Sequence, residues 1–221
     1  MLINVVSILK KLNDGVIMKT IINTIPGYRV YEYLLVLSPH EELWNKIVKV
    51  KEEFAEKYKS NHARWGKPHV TLVNFVQYGQ TEERIINRLN TVAMGQYPFK
   101  VELKDFGSFP SHTIYINVLS KLPVQHLIKQ IRSEGQRLMK LNDDNKPHFI
   151  MEPHLTIGRK LQPWQYETAW LEYSNKNFTG RFIADSMLLL KRPVGEGKYQ
   201  IVKRFEFQNL PVTIKQGELF A

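Results

Sequence analysis

A five-residue string occurs twice in this chain, as Pro68-His69-Val70-Thr71-Leu72 and again as Pro153-His154-Leu155-Thr156-Ile157. Side chains alternate along an extended backbone, so in each copy the histidine and threonine share one face and two aliphatic residues share the other. A chain carrying both copies must build two strands whose aliphatic faces enter a core and whose His/Thr faces stay outside it. The surroundings are duplicated as well. Residues 31–37 (YEYLLVL) read as a buried strand. Ser38, Pro39 and Glu41 then form a capping-box start for a helix. Its apolar residues Leu43, Trp44, Ile47, Val48, Phe54, Ala55 and Tyr58 recur at helical spacing through residue 59. The first string opens a strand running to about residue 76. Thr81, followed by Glu82 and Glu83, starts a helix with Ile85, Ile86, Leu89 and Val92 on one face.

The same order returns. Residues 113–118 (TIYINV) read as a strand, Val124, Leu127, Ile128, Ile131 and Leu138 mark a long helix, and the second string and a helix started by Pro163 complete the echo. The motif histidines stand 85 residues apart, a period too long for a solenoid. Further strands are expected at 97–106, 178–190 and 199–207, giving an α+β composition. No Pro/Gly/Ser-rich linker separates the halves. The expected organisation is a single two-lobed domain over 28–210, with an N-terminal extension at 1–27 and a C-terminal tail at 211–221. Met18 is an alternative start that would leave the first 17 residues as a poorly anchored tail.

With 221 residues, 43% of them hydrophobic, the chain can bury a real core. It has no cysteine, which excludes a disulfide framework and cysteine-ligated zinc. The apolar N-terminal stretch lacks a basic n-region and a small-residue cleavage site, so it is not read as a signal peptide. No run approaches the roughly 18 apolar residues of a membrane span. A soluble, cytoplasmic monomer without a membrane partner is expected. Thirty-one Lys and Arg against 21 Asp and Glu leave a net charge of +10, which attracts polyanions and concentrates anionic substrates. An ordinary basic surface is the competing reading.

Histidine, with an ordinary pKa of about 6.5, can both take and give protons near neutrality. In displacement at phosphorus the attacking and leaving oxygens lie roughly in line, so a base on one side and an acid on the other are needed together. His69 and His154 on opposed lobes would supply that pair. Thr71 and Thr156 could each aim a hydroxyl at a nonbridging phosphoryl oxygen, where negative charge must be held. This scheme calls for no metal and no cofactor. Each proline restricts the residue before it to extended conformations, which suits a strand beginning at a cleft edge.

Paired H-x-T-x strings, each on a strand of an internally duplicated α+β chain, resemble the two-histidine phosphoesterase superfamily, which includes the 2'-5' RNA ligase-like proteins and RNA cyclic phosphodiesterases. The resemblance runs from about Tyr28 to Phe207. It implies a LigT-like fold of two pseudo-symmetric lobes, each an antiparallel sheet flanked by helices, around a central cleft lined by His69, Thr71, His154 and Thr156. It further implies metal-independent opening of 2',3'-cyclic phosphates or of 2'-5' phosphodiesters on RNA ends or cyclic nucleotides. One histidine would activate water and the other protonate the departing hydroxyl. The Gly158-Arg159-Lys160 extension also resembles family members.

Secondary substrate contacts are expected from three places. The loop before the first string interleaves Lys57, Lys59, Arg64 and Lys67 with Tyr58, His62 and Trp65, a mix suited to phosphate attraction and base stacking, though equally a solvated loop. Arg159 and Lys160 follow the second string. Lys191, Arg192 and Tyr199 flank a Gly195-Glu196-Gly197 turn. Trp164, Tyr166 and Trp170 are read as core and interface packing rather than as a stacking platform. His40, His62, His112, His126 and His148 share no such context, and zinc bound by His148 and His154 matches no familiar spacing. The chain has no G-x-x-x-x-G-K-[ST] loop, no G-x-S-x-G elbow and no K-x-D-G string, which disfavours nucleotide-driven ligation. A noncatalytic RNA- or nucleotide-binding module, or a reversible 2'-5' RNA ligase using the same four residues, remain the alternatives.

Overall fold

The computed structural model describes residues 4–11, 17–24, 28–60, 63, 66–195 and 197–210. At the N-terminus β1 (Asn4–Lys11) and β2 (Ile17–Thr24) pair antiparallel as a sheet of their own, two strands that the sequence analysis does not foresee. Then come β3 (Val30–Leu37), α1 (Glu41–Lys57), β4 (Val70–Tyr78) and α2 (Glu82–Met94). The second half follows with β5 (Phe99–Phe109), β6 (Thr113–Val118), α3 (Lys121–Met139), the short β7 (His148–Phe149), β8 (His154–Arg159) and α4 (Pro163–Tyr173). The last strands are β9 (Thr179–Ala184), β10 (Ser186–Pro193) and β11 (Gln200–Glu206).

Nine strands form one antiparallel sheet in the order β11-β10-β3-β4-β8-β6-β5-β9, with β7 also pairing β4. Its two halves meet where Val70 of β4 pairs Leu155 of β8. These two residues are positional equivalents in the duplicated string, so a pseudo-two-fold axis passes between them and relates one lobe to the other. Val70, Leu72, Leu155 and Ile157 are all fully buried, as the alternation requires.

The helices do not stay with their own halves. α1, which joins β3 to β4, packs against β8 and β9 of the other lobe, while α3, which joins β6 to β8, packs against β4 and α2. Each lobe is thus covered partly by a helix from the opposite half of the sequence. The apolar stripes are where periodicity put them: Leu43, Ile47, Phe54 and Ala55 on α1, Ile85, Ile86, Leu89 and Val92 on α2, and Val124, Leu127, Ile128 and Ile131 on α3 are buried.

Three local expectations are corrected. The capping box at Ser38 does not form: α1 begins only at Glu41 with His40 as its N-cap, and the Ser38 hydroxyl donates to the Pro39 carbonyl (3.4 Å). Ser38 lies too far upstream to reach the first-turn amides. His40 instead accepts the Ile183 N–H at Nε2 (3.1 Å), tying the helix start to β9. The single strand expected over 178–190 is two strands parted at Asp185, and they lie in different lobes: β9 pairs β5 while β10 pairs β3. Since one residue joins strands that are far apart in the sheet order, the sheet has to curl back on itself. Trp164 is 54% exposed and is no core residue, whereas Tyr166 and Trp170 do pack against the core.

Candidate active site

The antiparallel pairing of β4 with β8 brings the two strings together. Extending the Val70↔Leu155 register by one residue in each direction sets His69 opposite Thr156 and Thr71 opposite His154. Directly opposed side chains lie on the same face of a sheet. All four motif side chains therefore share the face opposite Val70 and Leu155, and each is only partly buried. The histidines are diagonal neighbours across this pair, and His154 is near enough to His69 to disfavour a proton on it.

The two rings are held alike. The Nδ1–H of His69 donates to the Lys67 carbonyl (2.7 Å), and that of His154 donates to the Glu152 carbonyl (2.8 Å). A carbonyl can only accept, so Nδ1 carries the proton and Nε2 of the neutral ring is left as the proton acceptor. In both cases the carbonyl belongs to the residue before the motif proline, which that proline keeps extended. Burial pushes the His69 pKa down to about 4, with Lys51, Arg159 and His154 adding repulsion and the Lys67 carbonyl opposing them. Burial also lowers His154, against an upward pull from its bond to the Glu152 carbonyl and from the Glu152 carboxylate. Both rings are thus held below the ordinary histidine value, with cations acting on His69 and a carboxylate on His154.

Around His154 the wall is aromatic. Phe109 stands edge-on to its ring at 4.9 Å and Tyr115 is tilted against it at 5.0 Å. The Tyr115 ring lies over Gly107, where a Cβ would come within 2.6 Å of it. Tyr115 pairs with Thr156 and Asn117 with His154 across β6 and β8. The sequence analysis missed these residues, although the alternation of TIYINV already sets Tyr115 and Asn117 on the face opposite the buried Ile114, Ile116 and Val118. It also missed Lys51, whose signal was a charge at helical spacing from Ile47 and Ala55 on the apolar stripe of α1.

The other expected substrate contacts are placed unevenly. Arg159, exposed at the end of β8, reaches into the site electrostatically, acting on His69, Lys51 and Tyr199. Lys160 is exposed just beyond it, with φ at 54°. Lys67 contributes its main-chain carbonyl. Arg64, Trp65 and His62 lie outside the described residues. Lys57 and Tyr58 both bond Glu172 at 2.5 Å, and Tyr58 is buried, so its ring is no stacking platform. Lys191 pairs with Glu82 (2.7 Å) over the Tyr31 ring. Arg192 pairs with Glu32 (2.5 Å), which also accepts the Tyr199 hydroxyl (3.2 Å) and the Gly195 N–H (3.2 Å). Those carboxylates already compensate Lys191 and Arg192.

Among the described residues, no group of three or more His, Asp or Glu side chains is clustered to hold a metal ion. None of their helices is long and apolar enough to cross a membrane. A groove of about 520 Å³ opens elsewhere, lined by Thr91, Tyr97, Gln130, Glu134 and Leu210 among others, and it contains none of the motif residues.

Residues 39–196 match the family model described as the 2'-5' RNA ligase superfamily. A protein of Geobacillus thermodenitrificans (strain NG80-2) named "Putative phosphoesterase" is 30% identical over 122 residues, which cover 52% of this chain and 66% of that relative. The match thus spans slightly under two thirds of the relative's length. Among solved structures, E. coli LigT complexed with 3'-AMP superimposes with a TM-score of 0.61 at 15% identity, covering 81% of this chain and 98% of that one. A crystal structure described as a phosphoesterase gives 0.60 at 16% identity, with 80% and 98% covered. At these identities the likeness to the solved structures is one of fold.

Proposed function

The chain belongs to the 2'-5' RNA ligase superfamily, and on that premise we propose that it is a metal-independent phosphoesterase that opens 2',3'-cyclic phosphates or 2'-5' phosphodiester linkages on RNA ends or nucleotides. The observation that carries this reading is the pairing of the equivalent residues Val70 and Leu155, with each motif imidazole held in the same tautomer by a main-chain carbonyl. Two fixed imidazoles diagonal to one another can grip one phosphorus from both sides.

The chemistry follows from the unequal environments. His69, held down to about 4, is neutral at ordinary pH, and its Nε2 takes a proton from water as the water oxygen bonds to phosphorus. His154, supported by the Glu152 carbonyl and carboxylate, gives its proton to the ribose oxygen as the P–O bond to it breaks. A phosphoryl anion between the rings favours the protonated form of the acid. Thr71 and Thr156 donate to the nonbridging oxygens, where charge accumulates. In 2'-5' joining the roles of the two rings exchange.

The decisive experiment is incubation of the purified protein with a panel of 2',3'-cyclic nucleotides, cyclic-phosphate-ended oligonucleotides and 2'-5' dinucleotides, with and without chelator. Release of one monoester regioisomer at a rate unaffected by chelator is expected. If every substrate stays intact while RNA is bound with strong salt dependence, the protein is a binding module and the enzymatic reading fails.

A pH dependence accompanies this assignment. kcat/KM reports the free enzyme, so its profile should be a bell: an acidic limb as His69 protonates, an alkaline limb as His154 loses its proton, and a maximum below pH 6.5. Stability has a definite sign too. Both rings have folded pKa values below the unfolded one, so the unfolded chain binds more protons, and the stabilisation present above about pH 6.5 is lost as pH falls toward 4. For His69 this is at most about 3 kcal/mol, reduced by the solvent the ring still meets. Melting temperature and initial rate measured across pH 4–9 check both. A maximum above pH 8, or a melting temperature that rises on acidification, would contradict the assignment.

A further inference from the structure

Lys51 stands where the packing of α1 calls for an apolar residue. It is 5% exposed on the same stripe as Leu43, Ile47, Phe54 and Ala55, and its Nζ donates to the Thr156 carbonyl at 3.0 Å. Burying an ammonium is costly unless an opposite charge accompanies it. Among the described residues no carboxylate lies within 4.0 Å of Lys51. The charged group that acts on it is another cation, Arg159, and together with burial this pushes the Lys51 pKa down to about 8. Lys51 and Arg159 in turn both repel a proton on His69. Two cations and two imidazoles are therefore gathered around one short stretch of β8, an accumulation of like charge that folding by itself disfavours.

Such an arrangement is completed by an anion. We propose that Lys51 is the buried cationic floor of the phosphoryl site: anchored to the main chain of Thr156 beneath the motif face, it holds that residue in place and supplies positive charge that the substrate's phosphoryl group neutralises. This rests on the reading that the phosphoryl group lies between His69 and His154. Lys51 acts as a positioning residue, through the Thr156 backbone and through its field, and takes no part in proton transfer. The arrangement also separates two jobs. Arg159, being exposed, meets the anion from solvent, while Lys51 acts on it only through its field from the core side, where the low dielectric makes the attraction stronger.

Two measurements test this on the intact chain. The first uses the unmutated protein: the Nζ of Lys51 is followed by NMR with side-chain-labelled lysine while inorganic phosphate is added. Occupancy of the site should raise the Lys51 pKa by on the order of one unit, because an adjacent anion favours the ammonium. An unmoved Lys51 pKa at saturating phosphate overturns the proposal. The second compares Lys51→Met, which keeps length and restores an apolar stripe, with the wild type. Phosphate affinity should fall by on the order of tenfold, and KM for a cyclic nucleotide should rise by a similar factor. The acidic limb of the kcat/KM profile should move toward the ordinary histidine value as repulsion on His69 is relieved. A variant with unchanged phosphate affinity and an unmoved acidic limb overturns the proposal, because a purely structural lysine would leave both in place. Failure of the enzymatic reading is distinct: it shows as absence of turnover in the wild type, whereas the response of Lys51 to phosphate is read without turnover.

Discussion

His154→Ala is expected to slow hydrolysis of a 2',3'-cyclic nucleotide by roughly 10²–10⁴-fold, and His69→Ala by a similar factor, the range typical for loss of a positioned acid or base. Neither substitution should unfold the protein, because the packing of each motif strand rests on the opposite face, where Val70, Leu72, Leu155 and Ile157 are fully buried. The two losses should not multiply: once one proton transfer is missing the other gains little, so the double variant should be only slightly slower than the worse single one. The pH profiles distinguish the roles. With His69 as base, residual activity of His69→Ala should lack the acidic limb, and that of His154→Ala should lack the alkaline limb. Turnover of either folded single variant within a few-fold of wild type would remove the mechanism altogether.

The second large effect concerns stability and reaches the site through α1. Phe54 is fully buried and packs against Tyr58 (4.9 Å) and Tyr173 (5.2 Å). It also lies against Gly158 of β8, where a Cβ would approach the ring to 2.5 Å. The ring thus joins α1 and α4 to the strand that carries His154. Phe54→Ala should cost about 3–5 kcal/mol. For a chain of this size each kcal/mol lowers the melting temperature by about 2–4 °C. Gly158→Ala should cost about 1–3 kcal/mol by overpacking, but much less in the Phe54→Ala background, where the cavity receives the new methyl group. A double-mutant cycle by chemical denaturation measures that coupling. Equal costs of Gly158→Ala in both backgrounds would show that the contact does not govern the packing here.

Much of the candidate site is legible in the sequence, and the reason is local. Alternation of side chains in a strand is a property of a few consecutive residues, so the sharing of a face by His69 and Thr71, and by His154 and Thr156, needs no tertiary information. The same holds for the apolar stripes of α2 and α3. The capping box does not form at Ser38 because α1 begins only at Glu41, two residues beyond its reach, with His40 as N-cap and tied to β9 by the Ile183 N–H. The strand over 178–190 was misread because β-favouring residues carry no mark of their partner. Lys191 and Arg192 are expected from the sequence as substrate contacts, while the carboxylates that neutralise them, Glu82 and Glu32, lie 109 and 160 residues away.

By itself, then, the sequence determined the two chemical strings, the faces they present and the family to which they point. Tertiary structure alone decided that β4 and β8 meet at equivalent residues, that α1 and α3 cross to the opposite lobes, and that Lys51 ends beneath Thr156, 105 residues away along the chain. The physical reason is the range of the forces involved. Dihedral preference and side-chain alternation act over a few residues, whereas pairing register, burial of a charge and its missing counter-charge exist only once distant segments have been brought into contact.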